Sequence, residues 1–449
     1  MSLDVSPSSI SSALMDRDAF LTGLVETINA ASTVSDKAFL KEVRQSAVNW
    51  VRHTTLPTTR DEEWRFTDIS SLKQHQFTLG KRVELSISEI TTLPETDGAR
   101  LVFVNGLYSS QLSSVGNLSD GVVVTSLENL SDNLSDRLPQ YLAQAEGNQE
   151  VFTALNTAGL TDAAVIWVSK NVVIENPIHI LFINTEAQSP NIYQQRCLVV
   201  AESGSQVSLI EEFRNHLNTE TKETKVYFSN AVTEIWVEEN AQVNHVRVAR
   251  EGDEAFHVGK TAVTQARYSR YSCNAITFGG KFSRHNLEIF QIGEQTETTL
   301  NGLTMIKDNQ LADTHSALFL NHPYGNSRQL QKCIIDDKAH AVFNGKVFVP
   351  KQAQLTDAGQ LNRNLLLSSK ARIDTKPQLE IIADNVKCAH GATVSQLEDD
   401  EIFYLQSRGI DETAARHLLI NAFAAEIINQ LPIDSLKQSL TEFVSAQNV

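Results

Sequence analysis

Cys388 and His390 stand two positions apart in "DNVKCAHGATVSQLEDD", residues 384–400. Side chains alternate along a strand, so a Cys-x-His pair in a strand sets thiol and imidazole on the same face. Both groups bind soft or borderline metals, Cys as thiolate and His through a neutral ring nitrogen. Two ligands leave a tetrahedral site half filled, so a metal here needs donors from elsewhere in the fold or from another chain. A thiol nucleophile activated by the imidazole is a second chemistry, although no Gly-rich oxyanion turn or orienting acid accompanies the pair. The third reading is inert packing, the usual fate of a free cysteine.

The remaining reactive residues form no stronger pattern. Cys197, Cys273 and Cys333 are too scattered for a zinc-finger or disulfide framework and read as free thiols. His285, His315, His322 and His340 cluster loosely, and "GGKFSRHNLEIF" would set His285 on a strand face beside Asn286 and Glu288. A glycan-active β-helix would use such a face. The acidic pairs Asp336–Asp337 and Asp399–Asp400 are sequence neighbours, which places them on opposite strand faces or in turns and suits no paired-carboxylate mechanism. Neither a GxxxxGK[ST] loop nor a GxGxxG turn after a strand occurs, so ATP hydrolysis linked to this chain belongs to a partner. The formal charge of -16, from 38 basic and 54 acidic residues, argues against nucleic acid. "MSLDVSPSSISSALMDRDAF" fits neither a secretory signal nor an Arg-rich transit peptide, and "AAVIWV" and "HILFI" fall far short of a membrane span. The expectation is a cytoplasmic protein.

Three kinds of element must position these residues. In residues 1–75, "SALMDRDAFLTGLVETINAAS" and "DKAFLKEVRQSAVNWV", from about Ser12, carry apolar residues at three- and four-residue steps, the pattern of two amphipathic helices. "LPTTRDEEWRFTDIS" then ends the helical region in a charged loop pinned by Trp64. Residues 76–162 mix short strands, "ARLVFVNG" and "GVVVTSL", with a helix expected over "LPQYLAQAEGNQEVFTALNTAG".

From 163 to 394 the chain reads as short strands broken by polar corners. One corner recurs as "ESGSQV", "EENAQV", "DDKAHA" and "SSKARI", starting at Glu202, Glu238, Asp336 and Ser368. Its spacing fits stacked coils of roughly 16 to 18 residues, two per interval, which favours a parallel β-helix in which each rung buries its apolar face against its neighbours. Asn-Gly at Asn105, Asn301 and Asn344 keeps hairpins, and so a sandwich or barrel, open.

Helices resume in 395–449. Ser395 with Glu398 spells a capping box, Gly409 and Asp411 separate two helices, and Leu418, Leu419, Ala422, Phe423 and Ile427 form the apolar stripe of the second.

Five stretches together resemble the SufB/SufD family of the SUF iron–sulfur cluster assembly machinery. They are "DEEWRFTDIS", "GGKFSRHNLEIF" with "TTLNGLTM", "DTHSALFLNHPYGNSRQLQKCIIDDKAHAVFNGKVFV", "LNRNLLLSSKARIDTKPQLEIIADNVKCAHGATV" and "YLQSRGIDETAARHLLINAFAAEII". The Asp-x-Val-x-Cys-x-His-Gly-Ala-Thr run is similar to the SufD form. The resemblance implies a right-handed parallel β-helix between helical N- and C-terminal regions. It implies a non-catalytic scaffold subunit that pairs with SufB through the β-helix end, binds the ATPase SufC through the C-terminal helices and supports iron acquisition. His390 then takes the place of an interfacial histidine implicated in nascent cluster assembly, with Cys388 as its neighbour. SufB would supply the missing ligands of a transient cluster or iron that this chain alone does not hold stably. The stretch holding Arg416, Leu419 and Phe423 gains a SufC-docking role beside its packing role. ATP-driven SufC dimerisation would twist the heterodimer and expose the site. The resemblance leaves open homodimers of the isolated chain and contact with the reduced flavin of such complexes. The alternatives are a stand-alone β-helix enzyme acting on glycan or acyl substrates and a self-sufficient scaffold holding its own cluster.

Overall fold

Strands of five to eleven residues, β-branched and aromatic on their inward positions and punctuated by tight polar corners, stack into a two-sheeted parallel solenoid. The computed structural model describes residues 18–30, 38–116, 118–147, 149–185, 187–216 and 225–447. Each turn gives one strand to each sheet. Asn191–Ala201, Tyr227–Val237, Ala255–Gln265, Phe282–Gln291, Leu311–Phe319, His340–Val349 and Arg372–Ile381 follow one another in the first sheet. Gln206–His216, Gln242–Glu251, Arg270–Gly279, Glu297–Ile306, Asn326–Ile335, Asp357–Leu366 and Lys387–Ser395 do so in the second. The fold is mainly β, a parallel solenoid flanked by helices.

The repeated corners are real, and Gly204, Asn240 and Asp337 make them with positive φ. The coil length expected from them is not. Phe256 pairs with Phe282, His340 with Arg372 and Asn191 with Tyr227, so a full turn takes 26 to 36 residues and the expected 16 to 18 is about half a turn.

Part of the lumen is filled by inward side chains including Ile180, Phe182, Val199, Ile235, Val263, Ile289, Leu318 and Val347. The outer faces are covered separately. Helices Ala19–Ala30, Ala38–Val51 and Val151–Ala158 pack Leu24, Val48 and Leu155 against Phe228, Phe256 and Phe282 of the first sheet. Helices Glu412–Ile428 and Asp434–Gln447 pack Ile420, Ala424, Ile427, Leu436 and Leu440 against Val248, Ile276, Leu303 and Ile334 of the second. A fully buried Ile or Leu of this kind contributes roughly 1.5–3 kcal/mol. Trp64 is buried under the Arg284 guanidinium, 3.8 Å above its ring, so the charged loop is pinned as expected. The expected helix start near Ser12 lies outside the described residues.

The two ends of the solenoid differ. At the first, Val122–Ser126 runs antiparallel to Ala164–Val168, and Ala99–Val104, inside the stretch assigned to a connecting region, pairs in parallel with Ile178–Thr185 and carries its own antiparallel partners. At the second, Arg372–Ile381 and Lys387–Ser395 are the outermost strands of their sheets.

Four local expectations need correction. The helix over "LPQYLAQAEGNQEVFTALNTAG" shrinks to Val151–Ala158 plus a short turn at Leu138–Gln140, because the chain reverses at Gly147 with φ of 75°. The Ser395–Glu398 capping box does not form. Ser395 is the last strand residue and its Oγ donates to Asn364 O, while Glu398 is the N-cap of Asp399–Ser407. The buried stripe of Glu412–Ile428 is Ala415, Ile420, Ala424, Ile427 and Ile428, rotated from the expected one, with Leu418 49 % exposed. His285 does not lie beside Asn286 and Glu288, since it faces the lumen and hydrogen-bonds Thr261, whereas Glu288 pairs with Lys260 on the outer face. Gly409 with φ of 85° and Asp411, whose side chain accepts from Ala414 N, do separate two helices.

Candidate functional site

The terminal strand Lys387–Ser395 carries the Cys-x-His pair, and its neighbour Asp357–Leu366 sets its register: Cys388 lies beside Ala358 and His390 beside Gln360. The period of two therefore holds, and both side chains belong to the lumen face of the last turn. Their environments differ. Cys388 is half-buried against the apolar lumen cluster with Leu379 and Val386, and burial pushes its thiol above the usual range. His390 is exposed, because no further turn covers it. Among the described residues no three His, Cys, Asp or Glu side chains converge to hold a metal, so this end offers two soft ligands and no complete site.

The lumen beneath His390 is polar. Gln360, 4 % exposed, donates from Nε2 to Gln329 Oε1 at 2.9 Å, and Gln329 donates from Nε2 to Ser316 Oγ at 2.8 Å. Gly345 makes room for this amide, since a Cβ there would stand 2.2 Å from Gln360 Nε2. Beside it Thr375 Oγ1 donates to Asn362 Oδ1 at 2.8 Å, and Asn364 Nδ2 donates to Thr393 O at 3.0 Å, tying the last turn to the one below. Gln360 carried no signal in the sequence beyond a polar residue at an inward position of "AGQLNRN".

The other reactive residues lie apart from this end and mostly within the protein. Cys197, Cys273 and Cys333 are buried and free, and burial pushes the Cys333 thiol up to about 12. Cys273 Sγ lies 4.0 Å from His245 Nδ1, and His245 Nε2 lies 3.4 Å from Glu211 Oε2. Burial pulls the His245 ring down, but Cys273 and Glu211 outweigh it and raise the ring to about 9. His315 bridges Asp313, at 3.0 Å, and Glu63, at 3.4 Å, in the cleft between Trp64 and the first sheet. His340 meets Asp374 at 2.7 Å, and His322 is half-buried. Asp336–Asp337 sits in a corner and Asp399–Asp400 opens a helix, so neither makes a facing carboxylate pair.

On the C-terminal helices, Arg416 and Leu419 are half-buried, and Phe423 packs on the second sheet with Lys332 Nζ 3.8 Å above its ring. The large apolar groups that reach solvent there are Phe403, 70 % exposed, Tyr404, 59 %, and Leu418.

The sequence that builds this open-ended solenoid and its helices matches two family models along most of its length. Residues 182–423 match the SufBD core domain of the SUF system for FeS cluster assembly, and residues 17–180 match the SufBD protein N-terminal region. The chain belongs to the SufBD family. It is 45 % identical over 436 residues to an iron–sulfur cluster assembly SufBD family protein of Synechocystis sp., covering 96 % of each chain. It is 33 % identical over 399 residues to the iron–sulfur cluster assembly protein SufD of Escherichia coli, covering 88 % of this chain and 90 % of that protein. The chloroplastic protein ABCI7 of Arabidopsis thaliana is 34 % identical over 423 residues, covering 92 % and 88 %. SufBD membership leaves the stand-alone glycan or acyl enzyme without support. Among the described residues no helix is long and apolar enough to cross a membrane.

Proposed function

We propose that this chain is the SufD-type subunit of a SUF scaffold that pairs with SufB, binds the ATPase SufC and contributes His390, with Cys388 in a lesser role, to nascent iron–sulfur cluster assembly. It carries no chemistry of its own, and it supports iron acquisition through the complex. The observation that carries this reading is the open terminal turn, where an exposed imidazole and a half-buried thiol share a face beside two unpaired strand edges. An uncovered edge is a template for another chain, and Ile382, 58 % exposed, and Val394, 52 %, add apolar surface there. A strand partner at this end would bring the donors that the pair lacks. The cluster is cargo, completed at the interface. SufC docks on the C-terminal helices, where Phe403, Tyr404 and Leu418 face solvent near Arg416 and Leu419, with Phe423 supporting the helix from beneath. SufC dimerisation driven by ATP twists the SufB–SufD-type pair and opens the interface to iron and sulfur.

Co-expression with SufB and SufC tests this directly. The expected result is a stable complex containing all three chains that forms clusters on anaerobic reconstitution with iron and sulfide, read by absorbance, while the isolated chain forms none. A chain that purifies alone from such cells, or that assembles clusters unaided, would contradict it.

A further inference from the structure

We propose that Gln360 is a positioning residue for His390: its side-chain oxygen accepts an imidazole N–H, fixes the ring tautomer and leaves the other nitrogen's lone pair free for cargo. The inference rests on the reading of His390 as a ligand. Its ground is a hydrogen-bonded ladder, at whose foot Ser316 and Gln329 exchange hydrogen bonds, Ser316 Oγ also donating to Gln329 Oε1 at 3.2 Å. Ser316 Oγ accepts from Gln329 Nε2, and Gln329 Oε1 accepts from Gln360 Nε2. With its NH2 committed downward, Gln360 keeps Oε1 for the turn above. That oxygen is buried and has no hydrogen-bond partner among the described residues, and the residue in register above it is His390.

A buried acceptor left unpaired is costly, so the arrangement favours any donor that reaches it. In-register side chains of adjacent parallel strands stand about 4.8 Å apart at their backbones, within reach of a ring N–H. Histidines that bind metals are generally held this way, the second ring nitrogen donating to a fixed acceptor that sets tautomer and orientation. Gly345 is part of the device, because a side chain there would displace the Gln360 amide.

The test is nitrogen NMR of the full chain labelled at histidine, with His390→Gln identifying the resonance. A single tautomer, at least about tenfold in excess, is expected for the native chain. Gln360→Leu should return His390 toward the tautomer mixture of a free imidazole. Because loss of the amide can loosen the turn, Gln360→Glu, which keeps the side-chain size and an oxygen acceptor at that position, is the second variant. It places a carboxylate under the ring and should raise the His390 pKa by about one unit or more. Unchanged tautomer and pKa in folded Gln360→Glu overturn the inference. Cluster yield of the Gln360→Leu complex separates the two readings. A loss of about 10–100-fold is expected. An altered tautomer with unchanged yield keeps the Gln360 contact and removes His390 as a ligand, whereas an unchanged tautomer removes the contact whatever the yield.

Discussion

His390 lies directly above Gln360 in the parallel register of the last two strands of the second sheet, one residue exposed and the other 4 % exposed. The pairing joins a solvent-facing imidazole to a lumen that is polar through several turns. This end differs from the other, where antiparallel strands flank the sheets. The repeat stops here with its strand edges unpaired.

The open edges give the first prediction. Val394→Lys and Ile382→Lys place charge on exposed apolar positions of the terminal turn and should weaken association with SufB at least tenfold, as read by analytical ultracentrifugation. The isolated chain should keep its thermal midpoint, since exposed substitutions stay within about 0.5 kcal/mol. A loss of fold in both variants would show that the turn depends on these side chains for its own stability.

The C-terminal helices separate docking from packing. Phe403→Asp and Leu418→Asp should reduce SufC capture without lowering stability, because both side chains face solvent. Ile420→Ala should do the reverse, leaving a cavity against the second sheet and costing about 2–5 kcal/mol in urea unfolding. Phe423→Ala belongs with Ile420, since it also removes the ring beneath Lys332.

Acid stability should depend in part on the buried carboxylate of Asp313. Burial alone would raise Asp313, but Arg284 and His315 outweigh it and, with Thr67, hold it down at about 2. A folded value below the unfolded one, near 3.9, gives stabilisation that is complete above that range and lost as pH falls toward 2. The contribution is about 2–3 kcal/mol. Asp313→Asn should flatten this part of the stability-against-pH curve. It should also cost about 3–5 kcal/mol at neutral pH by leaving Arg284 buried without its counter-charge. Urea unfolding across pH 2 to 5 reads both effects.

The parallel solenoid was legible in the sequence because the corners repeat, and the pair Cys388–His390 because a period of two needs no knowledge of neighbours. Coil length was not, since each interval between repeated corners, 36 or 32 residues, is one full turn, and a corner motif cannot say how many strands lie between its repeats. The Ser395–Glu398 motif misled because strand pairing with Leu365 and a side-chain hydrogen bond to Asn364 O claim Ser395 before a helix can begin. The Leu418–Phe423 stripe misled because two sheet-facing registers fit the same apolar run and packing on Ile276 and Leu303 chose the other. Gln360 was invisible for a different reason. A lone polar residue in a strand looks solvated until the register places it inside the lumen beneath His390.

The central claim turns on one side chain. In a SufB–SufC complex of normal composition, His390→Ala should reduce anaerobic cluster formation at least tenfold, with Cys388→Ser losing less, each followed by absorbance after addition of iron and sulfide. Cluster formation by the His390→Ala complex at the native rate and yield would contradict the assignment.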